Sequence, residues 1–260
     1  MSAADIAWEA RGPQEAPAIV LVHSLGSSRS AWAPQVAALQ DRYRLVLVDL
    51  RGHGVSPSPP GPYAVAELAQ DVIAAAASAG AASFHLCGIS IGGLAALWTA
   101  VHRADVVRSI VAANTAARIG TPERWTARID AIRAGGMESI CDAVVGLWFS
   151  PDFAATHPDW HASARDGFLA TDPEGYIGCC RALAAADLRS EVESITVPSL
   201  IIGGSLDTAT PPAGAEWLRD VITESRLAVI DGAAHLSNLD RPVEFTAHLA
   251  GFVDDVEAGR

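Results

Sequence analysis

The chain has 260 residues, half of them hydrophobic and 18% charged, a length and apolar content that support a continuous buried core and exclude global disorder. Its 30 acidic and 18 basic residues give a formal charge of −12, so phosphate backbones and anionic membrane surfaces are repelled and no nucleic-acid or membrane partner is expected. Cys87, Cys141, Cys179 and Cys180 show neither a CxxC pair nor the spacing of a disulfide framework, and read as reduced thiols of a cytoplasmic protein.

The opening stretch MSAADIAWEARGPQEAP has no basic n-region and no apolar h-region, which predicts a chain without a secretory signal. Ile6-Ala7-Trp8 predicts an antiparallel edge hairpin at the N-terminus. Aliphatic runs then recur at Ala18 to Val22, Arg44 to Val48, Phe84 to Cys87, Ser109 to Ala112, Pro198 to Ile202 and Arg226 to Ile230. Such continuous apolar runs suit strands of a mostly parallel sheet with helices on both faces. Ala-rich periodic segments between them predict helices over about 31–40, 64–79, 91–102, 213–222 and 243–256, an α/β doubly wound fold. The uncharged stretch between Asp71 and Arg103 is long enough to span a bilayer, but its serines, glycines and His85 read as helix, turn, strand, turn and helix.

After Asn114 the alternation stops. Trp125, Ile129 and Ile132, then Met137, Ile140, Val144 and Trp148, fall at three- and four-residue steps, so a helical insertion of about 70 residues separates two strands. The expected organisation is a core made of 1–118 and 193–260 under a helical cap over 119–192.

Gly88-Ile89-Ser90-Ile91-Gly92 matches G-x-S-x-G between a strand and a helix. The glycines permit a sharp turn that lifts the serine hydroxyl out of the sheet, which makes Ser90 the expected nucleophile. A serine needs a base, and the base an orienting carboxylate. Asp207 follows one predicted strand and His235 the next, both at the edge where open α/β sheets bind ligands. Asp49 and Asp231 compete for the acid's place, but Asp231 shares a loop with His235 and Asp49 precedes the Arg51-Gly52-His53-Gly54 turn. The expected oxyanion donors are the backbone N–H groups of Ile91 and of Leu25 in Val22-His23-Ser24-Leu25-Gly26.

His23 and His53 lie in turns and are expected to bond local backbone. His157 and His161, four apart, lack the glutamate of HExxH and flank a proline, so no metal is expected. No phosphate-binding glycine loop opens a helix, and the chemistry calls for no cofactor.

The motifs His23-Ser24-Leu25-Gly26, Asp49-Leu50-Arg51-Gly52-His53-Gly54-Val55-Ser56, the Ser90 turn, Asp207 and His235 together resemble the α/β-hydrolase fold family. The text around Gly146 to Phe153, Thr171 to Leu183 and Ala234 to Asn238 is similar to that of 3-oxoadipate enol-lactonases of protocatechuate and catechol catabolism. That resemblance implies a Ser-His-Asp hydrolase acting on a small anionic lactone, whose free carboxylate needs a cation. Leu147 stands where some of these enzymes have arginine. Arg133 is the candidate cation, with Trp148 either an apolar wall against the lactone ring or part of the cap's own core at its helical spacing from Val144. An esterase or other lactonase of the same fold, and a non-catalytic binding protein on that scaffold, remain as alternatives.

Overall fold

The computed structural model describes residues 4–260; the first three residues, part of the stretch read for a secretory signal, lie outside it. Among the described residues, seven strands form one sheet: β1 (Trp8–Arg11), β2 (Ala18–Val22), β3 (Arg44–Val48), β4 (Phe84–Ile89), β5 (Val107–Ala113), β6 (Ser199–Gly204) and β7 (Ser225–Ile230), in the spatial order β1-β3-β2-β4-β5-β6-β7. All neighbours are parallel except β1 and β3. Every residue of β2, β4 and β6 is buried, which is why these strands read as unbroken apolar runs. Helices α1 (Ala33–Leu39), α2 (Val65–Ser78), α3 (Ile91–His102), α9 (Pro212–Val221) and α11 (Pro242–Glu257) flank the sheet, each within a few residues of its expected range.

The N-terminal strand is antiparallel and at the edge, as expected, but it is not half of a hairpin. It pairs with β3, Trp8 facing Val48, because both sides of β2 are already taken by β3 and β4. The chain order reverses between β2 and β4, and the turns after both strands emerge at the same edge, so the sheet opens a crevice there.

Five helices lie between β5 and β6: α4 (Pro122–Gly135), α5 (Glu138–Val145), α6 (Pro151–Thr156), α7 (Pro158–Leu169) and α8 (Pro173–Ala185). Three of them start with a side-chain cap followed by proline. Thr121, Ser150 and Asp172 accept hydrogen bonds from the backbone of Arg124, Phe153 and Gly175, and Pro122, Pro151 and Pro173 supply a preset φ where no N–H is needed. Pro158, which counted against a histidine pair on one helix, takes the first position of α7, with His157 just before it as a cap that makes no side-chain bond. Helix α4 packs along α8 and α5 along α7, and the buried rings of Trp125, Trp148, Phe168 and Tyr176 fill the space between this layer and the sheet edge.

The cap is tied to the sheet edge by backbone. The Leu236 N–H donates to the Trp148 carbonyl at 2.8 Å and the His235 N–H to the Leu147 carbonyl at 3.3 Å. Buried Asp240, in α10 (Ser237–Asp240), accepts from the Ser150 N–H and hydroxyl at 3.0 and 2.7 Å and from the Ala234 N–H at 2.7 Å.

Candidate active site

Ser90 sits between the last residue of β4 and the first of α3 with φ 58° and ψ −117°, a conformation that L-residues rarely adopt. Its N–H donates to the Ala113 carbonyl at 3.0 Å, and its own carbonyl accepts from the Thr115 hydroxyl at 2.8 Å. The turn is possible because glycines flank it. A Cβ at Gly88 would lie 2.1 Å from the Gly92 carbonyl oxygen, and one at Gly92 would lie 2.5 Å from that of Val22.

Asp207, just past β6, is saturated with donors. Its Oδ1 accepts from the backbone of Ala209 and Thr210 at 2.8 and 3.0 Å, and its Oδ2 from the Thr210 hydroxyl at 2.7 Å, Asn114 Nδ2 at 2.9 Å and His235 Nδ1 at 2.9 Å. Burial alone would raise this carboxyl. The charge and hydrogen bond of His235, with the Thr210 N–H and the Asn114 amide, outweigh it and hold the group at about 2. With Nδ1 held by Asp207, Nε2 is the ring nitrogen left to exchange a proton with Ser90. His235 and Ser90 line one small cavity beneath the inserted helices. The backbone N–H groups of Leu25, which lines that cavity, and of Ile91, which opens α3, have no acceptor among the described residues. A hydroxyl, a ring nitrogen backed by a carboxylate, and two free N–H donors beside them can carry out acyl transfer.

Two arginines complete the cavity. Arg124 and Arg128, one turn apart on α4, both line it, and Arg128 also lies 5.0 Å over the Trp125 ring and donates to the Tyr176 hydroxyl at 3.4 Å. Partial burial, reinforced by the charge of Arg128, pushes the Arg124 guanidinium down from its ordinary value. Neither has a carboxylate partner among the described residues, so the cavity carries uncompensated positive charge.

Residues 17–242 match the α/β hydrolase fold family. The chain belongs to this family. It is 39% identical to 3-oxoadipate enol-lactonase 1 of Acinetobacter baylyi over 246 residues, 95% of this chain and 92% of that one. It is 36% identical to 3-oxoadipate enol-lactonase 2 of the same organism over 94% of this chain and 92% of the relative. The crystal structure of the enol-lactonase from Burkholderia xenovorans LB400 superposes with a TM-score of 0.93 at 41% identity, covering 96% of both chains.

Within this α/β-hydrolase fold, the residues expected from sequence fall in two groups. Ser90, Asp207, His235, Leu25, Ile91 and Trp148 gather at the C-terminal edge of the sheet, with Ser90, His235, Leu25 and Trp148 facing the cavity. Arg133 does not join them. It is exposed in the last turn of α4, nine residues from Arg124, which at about 100° per residue places it on the opposite side of the helix. The cations that line the cavity are instead Arg124 and Arg128. Arg124 and Arg128 lie on one flank of the buried stripe of Trp125, Ile129 and Ile132 and Arg133 on the other, so the periodicity of α4 gave no signal for which flank would meet the cavity.

His23 and His53 bond backbone, as expected. His23 Nε2 accepts from the Leu50 N–H at 3.0 Å and His53 Nε2 from the Gly26 N–H at 2.9 Å, so the two rings brace the loop carrying Leu25. Asp49 accepts from the backbone of Arg29 and Val55, and Asp231, which is exposed, accepts from the Ser205 hydroxyl. Among the described residues no three His, Cys, Asp or Glu converge as a metal site; His157 stacks on Phe153 at 4.4 Å. Asn114 was missed by sequence reasoning. It is an asparagine after a strand like many others, and only its contact with Asp207, 93 residues away, marks it.

Proposed function

We propose that this protein hydrolyses 3-oxoadipate enol-lactone to 3-oxoadipate in the bacterial breakdown of aromatic acids. The observation that carries the reading is the unpaired Arg124 and Arg128 in the same cavity as Ser90 and His235. A lactone that keeps a free carboxylate finds there both a cation pair and a nucleophile. The identity to two enol-lactonases over nearly the whole chain supports the same substrate.

In this reading, Ser90 Oγ attacks the lactone carbonyl while its proton passes to His235 Nε2. The oxygen gains negative charge beside the N–H groups of Leu25 and Ile91, and Asp207 stabilises the imidazolium. The ring C–O bond then breaks; the enol oxygen takes the proton from His235 and the enol tautomerises to the ketone. Water, deprotonated by His235, attacks the acyl group on Ser90, and the ester bond to Ser90 breaks to release the dicarboxylate. Arg124 and Arg128 hold the free carboxylate throughout, and Trp148 packs on the ring. Every step balances with water alone. The four buried, unpaired cysteines support a cytoplasmic location.

Hydrolysis of enol-lactone, followed by loss of its ultraviolet absorbance, tests the reading. Ser90→Ala and His235→Ala should each lose ~10³-fold or more in kcat. Arg128→Ala should raise KM for the anionic lactone while leaving a neutral p-nitrophenyl ester nearly unaffected. Turnover of neutral esters with none of the lactone would make the protein an esterase. Ligand binding with no turnover of either would make it a binding protein.

A further inference from the structure

Trp148 faces two spaces. On one side lies the site cavity with Ser90 and His235. On the other, a cleft open to solvent runs between α7 and the turn after β2, bordered by Ser28, Phe149, Asp159, Ala164, Gly167 and Leu239. Trp148 lines both, and its indole stands edge-on to the buried Phe168 ring at 5.9 Å and 74°. Its main chain is fixed by the Leu236 N–H bond to its carbonyl and, two residues on, by the Ser150 bonds to Asp240. With the Leu147 carbonyl also accepting from the His235 N–H, the main chain is tied on either side of the indole.

We propose that Trp148 sets the size limit of the substrate: it stands between the catalytic cavity and a mostly apolar cleft with room for an alkyl chain. The enzyme then accepts compact lactones and short esters, and a small residue at position 148 joins the two spaces so that medium-chain acyl esters become substrates. This rests on the acyl-transfer reading above. The added reaction is the same one, with Ser90 Oγ forming a bond to the acyl carbon, the bond to p-nitrophenolate breaking, and water releasing the fatty acid. Because the backbone at 148 is anchored through its carbonyl, truncating the side chain leaves the His235 loop tied to the cap.

The test has two arms. In the first, kcat/KM is measured for p-nitrophenyl acetate, butyrate and octanoate. The octanoate-to-acetate ratio should rise at least tenfold in Trp148→Ala, rise less in Trp148→Phe, and return toward the parent value when Gly167→Trp is added to Trp148→Ala. Gly167 borders the cleft and not the catalytic cavity, and a Cβ there meets nothing within 4 Å, so a large side chain can be added on the cleft side. An unchanged ratio in both single variants, with acetate still turned over, overturns the proposal. The second arm needs no catalysis: titration calorimetry of n-alkyl carboxylates, butanoate to decanoate, on Ser90→Ala with and without Trp148→Ala. Affinity should climb about three- to fourfold per methylene only when the indole is gone. That climb without ester turnover in any variant would sink the hydrolase reading and keep the partition; a flat series in both proteins would sink the partition.

Discussion

Asn114 holds φ at 44° immediately after β5, a left-handed conformation that asparagine tolerates better than most residues. Its amide points both ways along a buried chain: Nδ2 donates to Asp207 Oδ2 at 2.9 Å and to the Ala234 carbonyl at 3.2 Å, while Oδ1 accepts from the Ser237 hydroxyl at 2.5 Å. Residues on three loops are thereby set against one another, with His235 between the last two. A hydrogen bond to a charged acceptor is worth about 1.5–3 kcal/mol, so Asn114→Ala should lower kcat roughly tenfold or more with KM little changed. Asn114→Asp should cost more than the alanine variant. It replaces a donor with a second carboxylate beside Asp207, which raises the affinity of the pair for a proton and diverts the His235 contact. Steady-state kinetics of the two variants, compared at one pH and then across a pH series, reads both effects.

The turn that carries Ser90 is an element made by absent side chains. Helix α3 approaches β4 so closely that any Cβ at Gly88 meets the Gly92 carbonyl, backbone against backbone, with nothing flexible to yield. Gly88→Ala should therefore lose both activity and several degrees of thermal stability. Gly167 is the contrasting case, a helical glycine of α7 with open space where its Cβ would stand. Alanine there gains about 1 kcal/mol of helix propensity, which for a chain of this size raises Tm by about 2–4 °C. Differential scanning calorimetry of the two alanine variants should move in opposite directions. The cap helices show the complementary rule. Their starts are written in Thr-Pro, Ser-Pro and Asp-Pro pairs, each a local instruction that the surrounding sequence cannot override cheaply.

For the molecule as a whole, the acid limb of stability follows from rings buried in neutral form. Burial, helped by the neighbouring His23, pushes His53 down to about 3, and burial likewise lowers His23. In the unfolded chain each titrates near 6.5. Above that pH both states leave the rings neutral and the stability from burying them is intact. Between about 6.5 and 3 the unfolded chain binds a proton that folded His53 refuses, so stability falls with falling pH, by about 1.4 kcal/mol per unit for this one ring. At pH 5 His53 alone should account for about 2 kcal/mol relative to pH 7. Denaturant titrations from pH 7 to 5 should show the decline, and His53→Gln should make its slope shallower by about one proton. An equal slope in the variant would mean that the linkage lies elsewhere in this acidic chain.

What the sequence by itself determined were the features imposed within a few residues. The glycine pattern around Ser90 admits one kind of turn, the apolar runs admit a covered parallel sheet, and parallel strands deliver the loops of Asp207 and His235 to the same edge as Ser90. Those three positions, the supporting roles of His23 and His53 and the helical character of the insertion were legible for that reason. Tertiary structure decided which arginine meets the cavity, because periodicity tells which side chains share a face of α4 but not which face the rest of the chain covers. It decided that β1 joins β3, since only the finished sheet shows β2 with no free side. It also brought Asn114 to Asp207 and set Trp148 between two spaces, contacts made between loops far apart in the chain. Such contacts depend on how the cap settles on the sheet, a sum over many weak packing energies that no local pattern records.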